Sequence, residues 1–259
     1  MTNSMRILGT KIDAHNKSSI KNAVNEALGK KNNIKIFTPN TEIVLRAKRD
    51  DKLKDVLENA DIMIADGAGI VMASKILGTP LPERLAGIEI GEYIIETAAN
   101  LGLSIFLLGG KQGVADQAKE KITEKHKNII ICGTHQGYFE MSGKENKKVL
   151  EQIKKASPDI LFVCMGFPRQ EKWIVENSHN IPSLRLSIGL GGSLDVWSEN
   201  VKRAPKIFRK LSLEWLWRIL HEPRRMSFLF KIPIFILNVL VEKCGKNIKA
   251  AKINSKNAH

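Results

Sequence analysis

Six short apolar runs, each followed by a longer amphipathic stretch, constrain this chain more than any other feature. The runs are 34–38, 61–65, 104–108, 129–132, 160–165 and 186–190. They are rich in Ile, Val, Leu and Phe and lack inside/outside alternation, so both faces of each strand are expected to be covered. Between and around them the spacing predicts helices over 18–28, 41–48, 52–58, 70–77, 88–100, 113–125, 144–155 and 170–177. This alternation points to an α/β body with a mainly parallel sheet flanked by helices. At 43% hydrophobic residues the chain has the means to bury a core of that size. Residues 1–196 are assigned to this body.

The alternation stops near 196–206, and no strand reads beyond it. Pro205, Pro223 and Pro233 punctuate a basic, aromatic, helical stretch, so 197–259 is read as a C-terminal helical basic appendage, with polar 246–259 expected to fray. Of the chain's net charge of +14, fourteen bases against three acids from Val201 onward give this segment +11, leaving +3 for the rest. Such asymmetry points to a polyanion: nucleic acid, anionic lipid or a phosphorylated substrate. Between Met226 and Val241 the apolar residues are interrupted by Lys231, Pro233 and Asn238, short of the ~20 needed to span a bilayer. Phe228, Phe230, Ile232, Phe235 and Leu237, flanked by bases, instead suit a helix on an anionic membrane surface. A helix docked on the body is the alternative. No nucleic-acid partner is expected, because the basic tail interleaves long aliphatic runs and no reading motif is present.

Cys132, Cys164 and Cys244 have neither metal spacing nor a disulfide framework, and Cys164 reads as a core residue. That usage suits a reducing compartment, and the N-terminus shows no apolar signal core. The expected location is cytoplasmic, peripheral on the inner face of the membrane. Homo-oligomerisation stays open.

In open α/β sheets ligands sit outside the carboxyl ends of the strands. Five of the predicted strands end there in small or polar residues. Thr38-Pro39-Asn40 follows the first, Asp66-Gly67-Ala68-Gly69 the second, Gly109-Gly110-Lys111 the third, Gly166 to Glu171 the fifth, and Gly191-Gly192-Ser193 the last. Glycines admit a ligand close to the backbone, and helix N-termini favour anions such as a diphosphate. Each motif alone has an ordinary reading as a turn or cap; their concurrence carries the functional one. Gly109-Gly110 lacks the GxGxxG spacing, which weakens a nicotinamide- or methyl-donor-binding alternative. No Asp-x-Asp pair and no His/Cys cluster at ligand spacing is present, so neither a metal nor a cofactor is expected.

The stretches TPNTEIV, ADGAGIV, LPERLAG, LLGG, GTHQGYF, GFPRQEKWI, GLGGSLDV and KRAPKIFRKLSLEWLWRILHEPRR together resemble the WecG/TagA/CpsF glycosyltransferases, in order and over nearly the whole chain. Within that family the chain looks nearest to the TagA branch. The resemblance implies a Rossmann-like body and an inverting, metal-independent transfer. The donor would be UDP-N-acetylmannosamine and the acceptor a lipid-diphosphate-linked N-acetylglucosamine. UDP-N-acetylmannosaminuronic acid or UDP-glucose are the alternative donors. By motif, Asp66 matches the proposed base, Thr38, Asn40, Arg84 and Gln170 match pocket residues, and Arg218 and Arg225 match appendage arginines directed at the diphosphate. Ser227 and Phe228 stand where the family usually has a further base after the second arginine, and Arg224 or Lys231 are the candidates to replace it. An inverting transfer needs one group to take the acceptor's proton, and a strand-tip carboxylate suits that task. Arginine forks can stabilise a departing diphosphate without a metal, and Arg84, Arg218 and Arg225 are the candidates.

Overall fold

The computed structural model describes residues 3–211, 213–221 and 226–256; within these, the side chains of Lys210, Arg218, His221, 227–229 and 249–256 lie outside the description. The chain opens with an antiparallel hairpin, β1 (Ser4–Ile7) and β2 (Thr10–Asp13), that the apolar-run reading misses. Its two-residue turn is Leu8-Gly9, with φ of 50° and 86°. A tight hairpin turn wants positive φ at both central positions, which is why Asn-Gly usually marks one. Leucine there leaves no signal. The buried Asp13 carboxylate accepts from Met63 N at 2.8 Å and ties the hairpin to the main sheet.

All six apolar runs become strands of that sheet: β3 (Ile34–Phe37), β4 (Ile62–Met63), β5 (Ser104–Gly109), β6 (Ile130–His135), β7 (Ile160–Cys164) and β8 (Leu186–Gly189). Every pairing is parallel, and the spatial order is β4-β3-β8-β7-β5-β6. Alternate residues feed two separate cores. Phe37, Phe106, Leu108, Leu161 and Val163 face one side, and Ile36, Ile105, Leu107, Phe162 and Ile188 the other. Period-two alternation is present but invisible in sequence, because both sides are apolar.

Helices cover both faces. On one lie α1 (Lys17–Gly29), α5 (Gly87–Leu101) and α6 (Val114–Lys125). On the other lie α2 (Thr41–Arg49), α3 (Asp51–Glu58), α4 (Ala68–Ile76), α7 (Gly143–Ala156) and α8 (Arg169–Asn177). Each falls within two residues of its predicted bounds. Cys164 is buried in the core, as read.

Beyond β8 come α9 (Ser193–Trp197), α10 (Lys206–Lys210), α11 (Glu214–His221) and α12 (Ser227–Lys256). The last of these helices runs past an internal Pro233 and reaches Lys256. One expectation changes here: Phe235 is not a membrane-facing residue. It is fully buried with Val239, and the two join the core that contains Ile43, Val44, Ile70 and Ala73 of α2 and α4. The docked face is further held by Lys231 on Glu42 at 2.6 Å and by the Glu242 carboxylate accepting from Leu8 N at 2.9 Å. Phe230, Ile234, Leu237, Val241 and Ile248 remain exposed. At about 100° per residue these five share one stripe, roughly opposite Phe235 and Val239. The helix is therefore apolar on two sides, one of them satisfied by the body. Among the described residues no helix is long and apolar enough to cross a membrane.

Candidate active site

Three neighbouring strands, β4, β3 and β8, end beneath one cavity of about 440 Å³. The segment after β4 brings Asp66 to its wall, the turn after β3 brings Asn40, and the turn after β8 brings Gly192. Arg84 comes from the connection between α4 and α5. The far wall is C-terminal: Arg203, Glu214, Trp215 and Ile232.

Local chemistry explains these positions. The Asn40 side chain accepts from Glu42 N and Ile43 N at 3.0 and 3.1 Å, so it caps α2 at the cavity edge. Asp66, half-buried, donates its backbone N–H to Pro39 O at 3.1 Å, which sets the two strand ends side by side. Leu85 N donates to Ala65 O at 3.0 Å and brings the Arg84 loop over the same strand end. Gly67 has φ of 113°, where a side chain would be strained. A Cβ on Gly69 would lie 2.3 Å from Thr41 Cγ2. These two glycines let α4 start hard against α2, leaving Asp66 at the rim.

The guanidinium of Arg84 pairs with Glu214 across the cavity, Nη1 to Oε2 at 2.9 Å. Arg203 reaches the same carboxylate, with Nε 3.9 Å from Oε1, while its other nitrogens bind Glu92 at 2.8 Å and Glu89 at 3.3 Å. This network ties α11 and the segment before α10 to the α4–α5 loop and to α5.

Of the residues read from sequence, Asn40, Asp66, Arg84 and Gly192 meet at the cavity. Thr38 and Gln170 do not line it. The Thr38 hydroxyl is buried and donates to Gly189 O at 3.0 Å, fastening β3 to β8. Gln170 is 2% exposed. Its oxygen accepts from Gly166 N at 3.2 Å and Gly191 N at 2.9 Å, so it holds the β7 and β8 tips together from below. Gly191 is fixed through that bond, beside the cavity rather than on its wall. Gly109 and Gly110 end β5, which lies two places beyond β8 in the sheet, and they pack on the β7 tip through Gly110 N to Cys164 O at 3.1 Å. Arg218 lies on α11, but its side chain is outside the described residues, and Arg225 is outside them altogether.

Sequence reasoning passed over three functional candidates. Arg203 stands in the quoted KRAP stretch, where its only distinction is the Ala-Pro that follows. Glu214 is one of just three acids in a basic tail, and that rarity was a usable signal. Glu171 adjoins Gln170 and is 1% exposed, its Oε1 accepting from Gln170 Nε2 at 2.9 Å. Burial pushes its carboxyl up to about 7, against the opposing pull of the Gln170 bond and of Arg46. Its Oε2 has no hydrogen-bond partner among the described residues. Among those residues, too, no group of three or more His, Cys, Asp or Glu is placed to hold a metal ion.

A strand-tip carboxylate, an arginine on the loop over the same strand end and a wall supplied from the C-terminus match the order of motifs in the sequence. The model of the glycosyl transferase WecG/TagA/CpsF family matches residues 5–249. The chain belongs to that family. Among its relatives is the N-acetylglucosaminyldiphosphoundecaprenol N-acetyl-beta-D-mannosaminyltransferase of Bacillus subtilis, 38% identical over 211 residues, which are 82% of this chain and 80% of the relative. The protein of the same name from Staphylococcus aureus strain MW2 is 38% identical over 221 residues, 85% of this chain and 84% of the relative. The activity of this chain is therefore glycosyl transfer, and the cavity at the β4-β3-β8 edge is its candidate site.

Proposed function

We propose that this protein transfers N-acetylmannosamine from UDP-N-acetylmannosamine to undecaprenyl-diphosphate-linked N-acetylglucosamine, the linkage unit of wall teichoic acid. What supports this reading most is the meeting of Asp66, Asn40 and Arg84 on one cavity of about 440 Å³, a size that suits a nucleotide sugar, in a chain whose relatives carry that activity. Asp66 takes the proton of the acceptor hydroxyl as that oxygen attacks the anomeric carbon from the face opposite the UDP. The bond to the diphosphate breaks, and cationic side chains receive its charge. Arg84 serves from the body, and Arg218 and Arg225 serve from the appendage. Thr38 and Gln170 keep the strand tips in register, so their part is to hold the floor on which the sugar rests.

Residues 1–196 act as the catalytic body and 197–259 as an appendage that closes the cavity and meets the membrane. The exposed stripe of α12, Phe230 to Ile248, supports an inner-leaflet contact through apolar burial at the lipid surface, and the net basic charge of the C-terminal segment adds attraction to anionic lipid. The deciding experiment is incubation with a panel of UDP-sugars and a lipid-diphosphate N-acetylglucosamine acceptor, read by mass spectrometry. A product with one added N-acetylhexosamine, from UDP-N-acetylmannosamine only, is expected. Transfer from UDP-N-acetylmannosaminuronic acid or UDP-glucose instead would assign the chain another donor.

A further inference from the structure

The far wall of the cavity carries an ionic network. Two arginines that start from different segments, Arg84 and Arg203, converge on one carboxylate, Glu214, which is itself carried in by α11. The side chains of all three are 14–20% exposed. Arg203 is held rigidly by Glu89 and Glu92, yet its Nε is buried and has no hydrogen-bond partner among the described residues. At 3.9 Å from Glu214 that N–H is too far for a hydrogen bond. The carboxylate thus binds one nitrogen of Arg84 and leaves Arg203 Nε without a hydrogen bond. A larger anion with more oxygens would satisfy both. Carboxylate and phosphate offer arginine the same kind of paired acceptors, and a fork of fixed geometry takes either.

We propose that Arg84 and Arg203 form a two-arginine clamp for the donor's diphosphate, and that Glu214 stands in for that diphosphate until the donor arrives. The proposal rests on the UDP-sugar reading and adds to it a binding residue, Arg203, and an internal competitor, Glu214. Glu89 and Glu92 compensate the charge of Arg203, whereas Arg84 faces the half-buried cavity with Glu214 as its ion-pair partner, so an anion at that place stabilises it. A diphosphate entering the cavity displaces Glu214 and completes the contact that Arg203 Nε lacks. Glu89 and Glu92 stay behind as tethers, so Arg203 does not have to be repositioned. Trp215 follows Glu214 on the cavity wall, and its surroundings change when the carboxylate leaves.

The test is calorimetric titration of the full chain with UDP, inorganic pyrophosphate and uridine. Glu214→Gln, an isosteric change that removes the competing charge, is expected to bind UDP and pyrophosphate about tenfold more tightly or better, with uridine unchanged. Arg203→Gln is expected to weaken both diphosphates by about tenfold or more. Glu89→Gln removes an equal charge from the tether and should not tighten binding. A second readout is tryptophan emission, which UDP should shift in the wild type but leave unchanged in Trp215→Phe. UDP affinity that is unchanged or weaker in Glu214→Gln overturns the stand-in, as does equal tightening by Glu89→Gln. Unchanged affinity in Arg203→Gln overturns the clamp. Circular dichroism checks each fold, and if Arg203→Gln does not fold, Glu214→Gln alone decides. A wild type that binds neither UDP nor pyrophosphate removes the nucleotide-sugar reading itself, whereas wild-type UDP binding with indifferent variants removes only the clamp.

Discussion

Phe235→Ala asks whether the C-terminal segment is a separate, dockable unit. Phe235 has no exposed surface and sits over the start of α4, where its ring comes within 4.0 Å of the Cβ position of Gly69. Truncating a fully buried phenylalanine costs about 3–5 kcal/mol, combining lost transfer free energy with the cavity left behind. The polar contacts of α12 are weaker. Lys231 and Glu42 are each about one-third exposed, and such a pair contributes roughly 0–1 kcal/mol. Docking is therefore governed by Phe235 and Val239, and removing the larger one should multiply the undocked population by about 10²–10³ or more. Ile232 of the same helix lines the cavity, so turnover should fall as docking weakens.

The assay is hydrogen exchange followed by mass spectrometry, comparing α12 amides with those of β5 and β7. Protection of α12 is expected to collapse while the two central strands keep theirs, because local opening needs only the α12 contacts to break. Two results would refute the reasoning. If α12 protection is unchanged, Phe235 does not hold the helix. If α12 and the central strands lose protection equally, 197–259 is part of one cooperative unit with the body and the division at 196 is wrong.

Four further outcomes are expected. Asp66→Asn should keep the fold and lower turnover by roughly 10²–10⁴-fold, as loss of a general base does; wild-type turnover in the folded variant removes Asp66 from the mechanism. Activity should survive excess EDTA, because arginines carry the leaving group's charge; loss with chelator and return with Mg²⁺ or Mn²⁺ overturns that account. Glu171 has a folded pKa raised from 4.5 to about 7, so its contribution is fully present below about 4.5 and is lost as pH rises through about 7. That is worth about 3 kcal/mol, and Glu171→Gln should flatten this part of a denaturation-against-pH curve, a flattening that fails to appear if the carboxyl titrates normally. Serine at Phe230, Leu237 and Val241 together should release the protein from anionic vesicles while sparing turnover on a short, soluble acceptor; retained vesicle binding would disqualify the stripe. These substitutions test the membrane contact more cleanly than deletion after about 228, which would also remove Ile232 from the cavity wall.

The sheet and its helices were legible because both signals are local. Apolar runs bounded by glycine or small polar residues stop a strand and start a helix, and all six strands and eight body helices appear where that rule puts them. The β1–β2 hairpin was not legible, since Leu8 adopts a backbone conformation that leucine rarely marks. Asp66 was legible for a related reason: a carboxylate between an apolar run and two glycines is unusual enough to be noticed on its own.

What sequence could not supply is the order of strands in space. Five strand tips looked equivalent in the chain, yet only β4, β3 and β8 adjoin at the cavity, while β5 stands beyond β7. That order separates Gly192, on the wall, from Gly109 and Gly110, which are packed elsewhere. It also gives Gln170 the position of a brace between the β7 and β8 tips, which exists only because those strands are neighbours. The appendage shows the same limit in helical form. Charge and hydropathy point to one apolar face of α12 for lipid, but the helix has two, and one of the five residues expected to face the membrane, Phe235, belongs to the body's core. An amphipathic pattern records that a face is apolar; only the neighbouring elements determine what covers it. The consequence for catalysis is direct. Because Phe235 docks α12 at the start of α4, the exposed stripe on the other side is fixed relative to Asp66, and a membrane contact through that stripe would hold the cavity at a set orientation to the lipid that carries the acceptor.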